Sequence, residues 1–383
     1  MPGQRFFAER IHGDGTTELI HGDLPITGSP SITDVLSGPP QLQAEIGTPQ
    51  EDLKVNGMPV LVPGSTAIYF EEDDVIRGGW LLAEPDVDDQ VLSLDGSGFC
   101  GYPKGQEYTQ EYSQIGVDPL DVVRHIWAYL QAFPNGRLGM VLDSTKTPVR
   151  LGTRGGVLTE DGTRVPLSFY GQTEPTSEQD YEEDDPFTIT WFEPADLGSV
   201  IDGLAKETPF EYHEEHYWDA TRTKVLHRLE LGYPTIGRRR TDLRFVLGEN
   251  IHVAPRVTLG GGYVNEVTVI GAGEGRAMVR ATAPLNDGRL RKAITITDKR
   301  IKSNTEAAVR ARAELNARQH FADVTSVVIE DTPGTPVGSW LVGDSIRLQA
   351  EEDWTDLDVW VRVVGITTNP YDSRDAVCTV VRA

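Results

Sequence analysis

The chain has 383 residues, of which 38% are hydrophobic and 8% aromatic, and its 59 acidic and 35 basic residues give a net charge of −24. This length predicts two or three domains, and the apolar content excludes a disordered chain. The charge repels polyphosphate and anionic lipid, so we expect no stable nucleic-acid binding and no membrane binding.

The first third of the sequence has the pattern of short β-strands separated by turns. Apolar and polar residues alternate over 41–46, two strand-like runs within 66–82 flank the acidic turn 71–74, and another run follows at 91–94. Strands and turns that alternate about every ten residues predict a small barrel or sandwich, which we expect to end near Lys104. The N-terminus lacks the apolar core of a signal peptide, which predicts a protein made in a cytosol.

The middle third combines helices and strands. Asp118 and Pro119 form a helix start, with an N-cap acid and proline in the first turn, and the apolar spacing continues to a stop at Pro134. A second helix is predicted from Pro194 to Thr208, between strands at 187–191 and 225–231. The acidic block 177–185 predicts a solvated loop, because it lacks the ligand spacing and glycine of an EF-hand.

The last third returns to strands and contains one long helix. Strands are predicted at 253–259, 264–270, 277–282, 324–330, 345–349, 359–367 and 376–381. Ser303 and Glu306 form a capping box, which predicts a helix from there to His320. No repeat of 20–50 residues is present, so the sequence does not predict a solenoid.

Two motifs suggest a chemical site at first sight. Gly271, Gly273 and Gly275 follow a strand as in a dinucleotide-binding turn, but the third required glycine is Arg276 and a strand follows, so a hairpin is predicted. His213 and His216 lie three apart, whereas the metalloprotease helix motif needs a spacing of four. Their aromatic context predicts a strand that directs the two imidazoles to opposite faces.

The remaining sequence predicts neither a catalytic residue nor a cofactor or metal site. No nucleophile elbow and no phosphate-binding loop is present. Cys100 and Cys378 are too few and too far apart for a disulfide framework or a zinc site, and Cys378 lies in a buried-strand context.

One basic cluster stands out in this acidic chain. Arg238, Arg239, Arg240 and Arg244 lie within seven residues, which predicts contacts with acids. These contacts are salt bridges inside the chain or between subunits, and we identify the four arginines as a possible subunit interface. Nucleic-acid contact is a weaker alternative because of the overall charge.

Several stretches carry a resemblance to a known family. They are the segment 32–39 with the strand 42–46, the hairpin ending at Trp80, the Asp118 helix start, the segments 229–238 and 247–251, the arginine-rich helix and the turn 342–344. In this order they resemble the tail-hub minor tail proteins of long-tailed bacteriophages that infect actinobacteria. That family is similar in fold to the baseplate hub of contractile phages, and the resemblance covers essentially the whole chain.

The resemblance implies an α+β, mainly β fold. Two small β-barrel domains, at 1–104 and 237–383, would flank an α+β domain at 105–236, with a helix-containing subdomain inserted around 265–322. It also implies a non-enzymatic structural protein of the virion tail tip, made in the host cytoplasm and assembled as a homotrimeric ring. That ring would meet the distal tail protein, the C-terminus of the tape-measure protein and other minor tail proteins, and would close or guide the DNA channel.

Two alternatives remain open from the sequence. A receptor- or carbohydrate-binding tail-tip module would be favoured by an exposed cluster of Tyr212, Tyr217 and Trp218 beside a cleft. A cell-wall hydrolase would need two carboxylates in a groove, or a metal held by His213 and His216. For the ring, the net charge of −24 favours an acidic bore that repels passing DNA.

Overall fold

The computed structural model describes residues 3–47, 53–55, 57–88, 91–152, 157–158, 164–165, 186–299, 301–320, 322–352, 355–371 and 373–383. The acidic block 177–185 lies outside these residues. Among the described residues, no helix combines the length and the apolar character that crossing a membrane requires.

The described part of the first third forms strands and short turns. Its strands are β1 (Gln4–Ile11), β2 (Thr17–His21), β3 (Ile26–Val35), β4 (Gln41–Ile46), β5 (Lys54–Val55), β6 (Met58–Pro59), β7 (Thr66–Glu72), β8 (Val75–Leu82), β9 (Asp86–Asp88) and β10 (Val91–Ser97). The predicted hairpin is confirmed, because β7 and β8 pair across a turn in which Asp73 and Asp74 both have positive φ. The alternation over β4 is confirmed too, since Leu42, Ala44 and Ile46 are buried.

The middle third mixes helices with short sheets. Its elements are β11 (Glu111–Gln114), α1 (Pro119–Ala132), β12 (Met140–Leu142), β13 (Val157–Leu158), β14 (Arg164–Val165), β15 (Phe187–Thr190), α2 (Leu197–Glu207), β16 (Glu211–Trp218) and β17 (Val225–Gly232). Strands β12, β17 and β16 form one sheet in that order. Both predicted helices are confirmed near their expected bounds.

The last third holds the remaining elements. They are β18 (Phe245–Val246), β19 (Arg256–Leu259), β20 (Glu266–Ile270), β21 (Arg280–Pro284), β22 (Ala293–Thr297), α3 (Asn304–Arg318), β23 (Ala322–Ile329), β24 (Ser345–Glu352), β25 (Thr355–Asn369) and β26 (Ser373–Arg382). The strand predicted at 277–282 begins only at Arg280, because a short 3₁₀ turn occupies Gly275–Ala277. The strand predicted from Val253 likewise begins at Arg256.

A 14-stranded sheet joins the two ends of the chain. Its strand order is β19-β23-β26-β25-β3-β4-β10-β8-β7-β1-β2, with β24 beside β25, β18 beside β24 and β9 beside β10. The joint is the antiparallel pair of β3 and β25, where Thr33 lies opposite Thr367 and their hydroxyl oxygens are 3.0 Å apart. The strands of the first and last thirds therefore share one hydrogen-bonded sheet.

Four hydrophobic clusters fill the interior. The first-third strands enclose one, the strands β23 to β26 another, and α1 and α2 pack with β16 and β17 in a third. Strand β1 serves two of them, since Phe6 faces the first-third cluster while Phe7 faces the helices. The fourth is a small cluster in which α3 covers one face of the sheet β21-β20-β22.

Asp118 fixes the start of α1 and ties it to the following loop. Its buried carboxylate accepts hydrogen bonds from the backbone N–H of Leu120 at 2.9 Å and from the backbone N–H of Thr147 at 2.8 Å. The Thr147 hydroxyl donates a further bond at 3.1 Å. Removal of this carboxylate would leave buried donors unsatisfied.

We therefore expect Asp118→Ala to lower the free energy of unfolding by about 2 kcal/mol. Asp121→Ala is the matched control, because this half-exposed carboxylate in the same helical turn pairs with Arg124 and Lys146 at the surface. Its loss should stay below about 1 kcal/mol. Urea denaturation of both variants measures the difference, and equal losses would contradict the role given to Asp118.

Candidate functional site

The four arginines of the basic cluster have different environments. Arg238, Arg239 and Arg244 are exposed. The Arg239 guanidinium lies 3.8 Å from the centre of the Trp360 ring, a cation–π contact. Arg244 donates through Nε to the side-chain oxygen of Gln349 at 3.1 Å. These three side chains can meet a neighbouring molecule.

Arg240 is directed into the chain instead. Its side chain is 9% exposed and forms ion pairs with Asp242 at 2.7 Å and Asp344 at 3.4 Å. It also donates to the backbone carbonyl of Ser339. The guanidinium holds the pKa of Asp242 at about 2. Arg240 thus fixes the segment that leads from the middle third into the last third.

Two glycines allow this segment to approach the turn before β24. A Cβ atom on Gly237 would lie 2.3 Å from the carbonyl carbon of Gly343, and a Cβ atom on Gly343 would lie 2.8 Å from the carbonyl oxygen of Ile236. Both glycines have positive φ. Two stretches that carry the family resemblance, 229–238 and 342–344, therefore contact each other.

A second group of charged residues lies between the first-third strands and the sheet of β16 and β17. The buried Glu71 carboxylate accepts hydrogen bonds from Arg5 at 2.5 Å, Arg222 at 2.8 Å and the indole N–H of Trp218 at 2.9 Å. Because these donors lie on β1, the turn after β16 and β16 itself, Glu71 links three elements. Its carboxylate is fully paired and holds the layers together.

Glu214 and two histidines form a neighbouring buried cluster. Glu214 accepts a hydrogen bond from the backbone N–H of Cys100 at 2.5 Å, and its other oxygen lies 3.2 Å from Nε2 of His216. Nδ1 of His216 lies 3.0 Å from Nδ1 of His227. Burial and the neighbouring His216 lower the pKa of His227 well below its usual value, so His227 is neutral.

Glu9 completes this buried polar region. It lies on β1 on the same face as Phe7, and its residue is 1% exposed. Burial raises the pKa of Glu9 to about 7, although a backbone hydrogen bond from Val225 opposes this shift. One carboxylate oxygen of Glu9 has no hydrogen-bond partner among the described residues. The sequence predicted no functional or structural role for Glu9, Glu71 or Glu214.

The predicted strand around the two histidines is confirmed as β16. His213 and His216 face opposite sides of it: His213 lies 2.9 Å from Asp34, while His216 is buried beside His227. The described residues contain no group of three or more His, Cys, Asp or Glu side chains that could hold a metal ion.

The three aromatic residues named for a carbohydrate-binding module do not form an exposed cluster. Tyr212 is buried, and the Trp218 ring stacks on Phe7 with centroids 5.2 Å apart, while Tyr217 is exposed. These positions therefore do not provide the exposed aromatic cluster that would favour a receptor- or carbohydrate-binding module.

The two remaining motifs have structural roles. The glycines of 271–275 lie in the turn between β20 and β21, as the hairpin interpretation predicted, and the short 3₁₀ turn Gly275–Ala277 leads to strand β21 without an α-helix. Cys378 is fully buried, which raises the pKa of its thiol to about 11. The Cys100 thiol, whose pKa burial also raises, donates to the carbonyl of Gly38 at 3.3 Å.

Comparison with known proteins finds no matching protein-family model and no matching curated protein. Solved structures of tail proteins do match. The 43 kDa tail protein of prophage MuSo2 from Shewanella oneidensis is 12% identical, with a TM-score of 0.58 over 99% of this chain and 98% of that chain. The tail protein from Neisseria meningitidis is 12% identical, with a TM-score of 0.54 over 100% of this chain and 97% of that chain.

A prophage tail protein from Listeria monocytogenes is 8% identical, with a TM-score of 0.54 over 98% of this chain and 94% of that chain. At such identities the likeness establishes the fold. It extends over nearly the full length of all three proteins. The chain therefore has a mainly β fold that also occurs in phage tail proteins.

Proposed function

We propose that this chain is a structural hub of a bacteriophage tail tip. Three copies form a ring that joins the tail tube and the distal tail protein to the tip proteins and closes or guides the DNA channel. The observation that carries the proposal is the likeness to tail proteins in fold, which covers 98–100% of this chain. The sequence stretches quoted above favour a hub from a long-tailed phage of actinobacteria.

The proposed organisation keeps two β-barrel domains, at 1–104 and 237–383, around an α+β domain at 105–236. The sheet that runs through β3 and β25 supports a rigid connection between the two outer domains. Such a connection suits a ring subunit, because both outer domains then keep a fixed spacing against the tail tube. In this organisation the chain is not an enzyme, and its partners are its own copies, the distal tail protein, the tape-measure protein and other minor tail proteins.

The net charge supports the channel role. With −24 per chain, an acidic bore would repel the phosphates of passing DNA instead of retaining them. The exposed members of the arginine cluster, Arg238, Arg239 and Arg244, are proposed to meet acids of an adjacent subunit, while Arg240 holds their segment in place.

Light scattering on the purified chain tests the ring. We expect the mass of three chains, and we expect Arg238→Glu with Arg244→Glu to shift the particle towards one chain, because two interface cations become anions. Arg256→Glu, another exposed arginine, is the control and should leave the mass unchanged. A wild-type chain that stays monomeric at every concentration, or that binds duplex DNA at physiological salt, would overturn the proposal.

A further inference from the structure

The inserted segment 265–322 has the opposite charge to the rest of the chain. It contains eleven Lys and Arg residues against six Asp and Glu, a net charge of +5, whereas the other 325 residues contain 24 against 53, a net charge of −29. The segment also has its own hydrophobic cluster, with Val267, Val269, Ala311 and Leu315 buried. The segment 265–322 is thus a basic unit within an otherwise acidic chain.

One face of this basic unit is an open β-sheet. Helix α3 covers the inner face of β21-β20-β22, and the outer face carries a cross-strand row of Thr282, Thr268 and Thr295. The hydroxyl oxygens of Thr268 and Thr282 lie 2.9 Å apart. Thr282 and Thr295 on the two edge strands are exposed, whereas Thr268 between them is 6% exposed, so the described part of the chain leaves both edges of this face uncovered.

Cations lie at both ends of the outer face. Arg280 is exposed on β21, opposite Ile270, and none of the described acids forms an ion pair with it within 4.0 Å. At the other end Arg291 contacts Glu266 at 2.6 Å, yet its side chain is 71% exposed. Glu266 lies on the same face, and the hydrogen bond from Arg291 and the charge of Arg280 both lower its pKa. The face therefore combines two arginines, one carboxylate and hydroxyl groups.

An acidic face of matching character lies on the first-third sheet. Glu45 is opposite Ser93, and Ser93 is opposite Asp86, so both acids share the outer face of β4, β10 and β9. Asp95 lies two residues further along the same face, and all three acids are exposed. Glu45 and Asp95 line a groove of about 450 Å³ whose described lining residues include no basic side chain.

We propose that the outer face of the inserted sheet docks onto the acidic face of a second copy of this chain. Both faces are exposed in the single chain, so a contact between them joins two copies. Because the two faces differ, the contact is head-to-tail, and such contacts close a ring when the rotation between successive copies divides a full turn. The inference rests on the proposed ring and adds the surfaces that build it. Charge complementarity orients the two copies, so the contact weakens as salt rises.

Charge reversal tests the contact. We expect Arg280→Glu with Arg291→Glu to weaken self-association at least about tenfold in sedimentation equilibrium, since two attractive pairs become repulsive. Asp86→Arg with Asp95→Arg should have the same effect. A chain with all four changes restores opposite charges and should assemble again. Recovery of this kind distinguishes a direct contact from a loss of fold.

The control and a milder variant keep the test decisive. Arg312→Glu with Arg318→Glu reverses two exposed arginines on α3, which covers the other face of the same sheet, and should leave assembly unchanged. Arg280→Gln with Arg291→Gln removes the charge without reversing it and should give a smaller loss. Circular dichroism confirms the fold of each variant.

Three results would overturn the proposal. If the wild-type chain assembles and the Arg280/Arg291 reversal assembles equally well, this docking surface is wrong while the ring stands. If the wild-type chain is a monomer, both proposals fail. If the wild-type chain binds a labelled duplex DNA in fluorescence anisotropy and the Arg280/Arg291 reversal abolishes that binding, the basic face contacts nucleic acid instead of a second copy.

Discussion

Replacing Arg240 with methionine should lower the free energy of unfolding by about 3 kcal/mol, because the change leaves a buried carboxylate without its cation. Asp344 is buried, and among the described residues it would keep the backbone N–H donors of Arg238 and Leu341 alone. The carbonyl of Ser339 would lose its donor as well. Methionine keeps the length of the apolar stem, so the loss reports the charged contacts. Urea denaturation at neutral pH measures it.

Arg256→Met is the matched control, because Arg256 is exposed and none of the described acids forms an ion pair with its side chain. We expect a change within about 0.5 kcal/mol. The double variant Arg240→Met with Asp344→Asn should cost less than the sum of the two single changes, since each removes the same pair. Equal losses at Arg240 and Arg256, or additive single changes, would show that the buried pair contributes nothing specific.

The sequence predicted contacts with acids for the four arginines of the basic cluster but could not separate them. Arg238, Arg239 and Arg240 are adjacent in the sequence, so the sequence alone does not show which of the three side chains is buried. The acid that distinguishes Arg240 is Asp344, 104 residues further along the chain. No local pattern contains that pairing, because it arises only when the Gly237 and Gly343 backbones approach each other.

The same limit applies to the fold. All three helices were predicted close to their observed bounds, because caps such as Asp118 and Ser303 and the apolar spacing that follows are local signals. About half of the described strands were predicted from local alternation, whereas β1, β2 and β3 were not. The pairing of β3 with β25 was not, since Thr33 and Thr367 are 334 residues apart and the strand pattern names no partner. The alternation of apolar and polar residues predicts which side chains of a strand face the core. It does not predict which other strand pairs with it, because that depends on tertiary packing.

The buried carboxylates were missed for a different reason. In a chain with 59 acidic residues, a single acid in a strand carries little information. Glu9 did leave one signal, because Phe7 and Glu9 are two residues apart and must share a face of a regular strand. Phe7 packs between Tyr69 and Trp218, so this signal would have placed Glu9 towards the interior. That one carboxylate oxygen of Glu9 lacks a partner among the described residues results from the packing of β7, β16 and β17. The sequence does not predict this packing.

Glu9 should make the stability of the chain depend on pH in an unusual direction. Its pKa is raised from an ordinary 4.5 to about 7, so the folded chain favours the neutral acid. Below pH 4.5 Glu9 is protonated in both the folded and the unfolded chain, and its full contribution to the free energy of unfolding is present. Between pH 4.5 and 7 the unfolded chain ionises first, and folding stability falls by up to about 3 kcal/mol. Above pH 7 both states are ionised and no further loss occurs.

Glu9→Gln isolates this contribution, because glutamine keeps the shape and cannot ionise. We expect the variant to match the wild-type free energy of unfolding near pH 4.5 and to exceed it by up to about 3 kcal/mol at pH 8. The same change at Glu18, an exposed residue of the neighbouring strand β2, should give no such pH-dependent gain. Urea denaturation across this range measures the difference between variant and wild type, in which all other titrating groups cancel. A difference that stays constant with pH would mean that Glu9 ionises alike in the folded and unfolded chain, and that burial between β1, β7 and β17 does not hold it neutral.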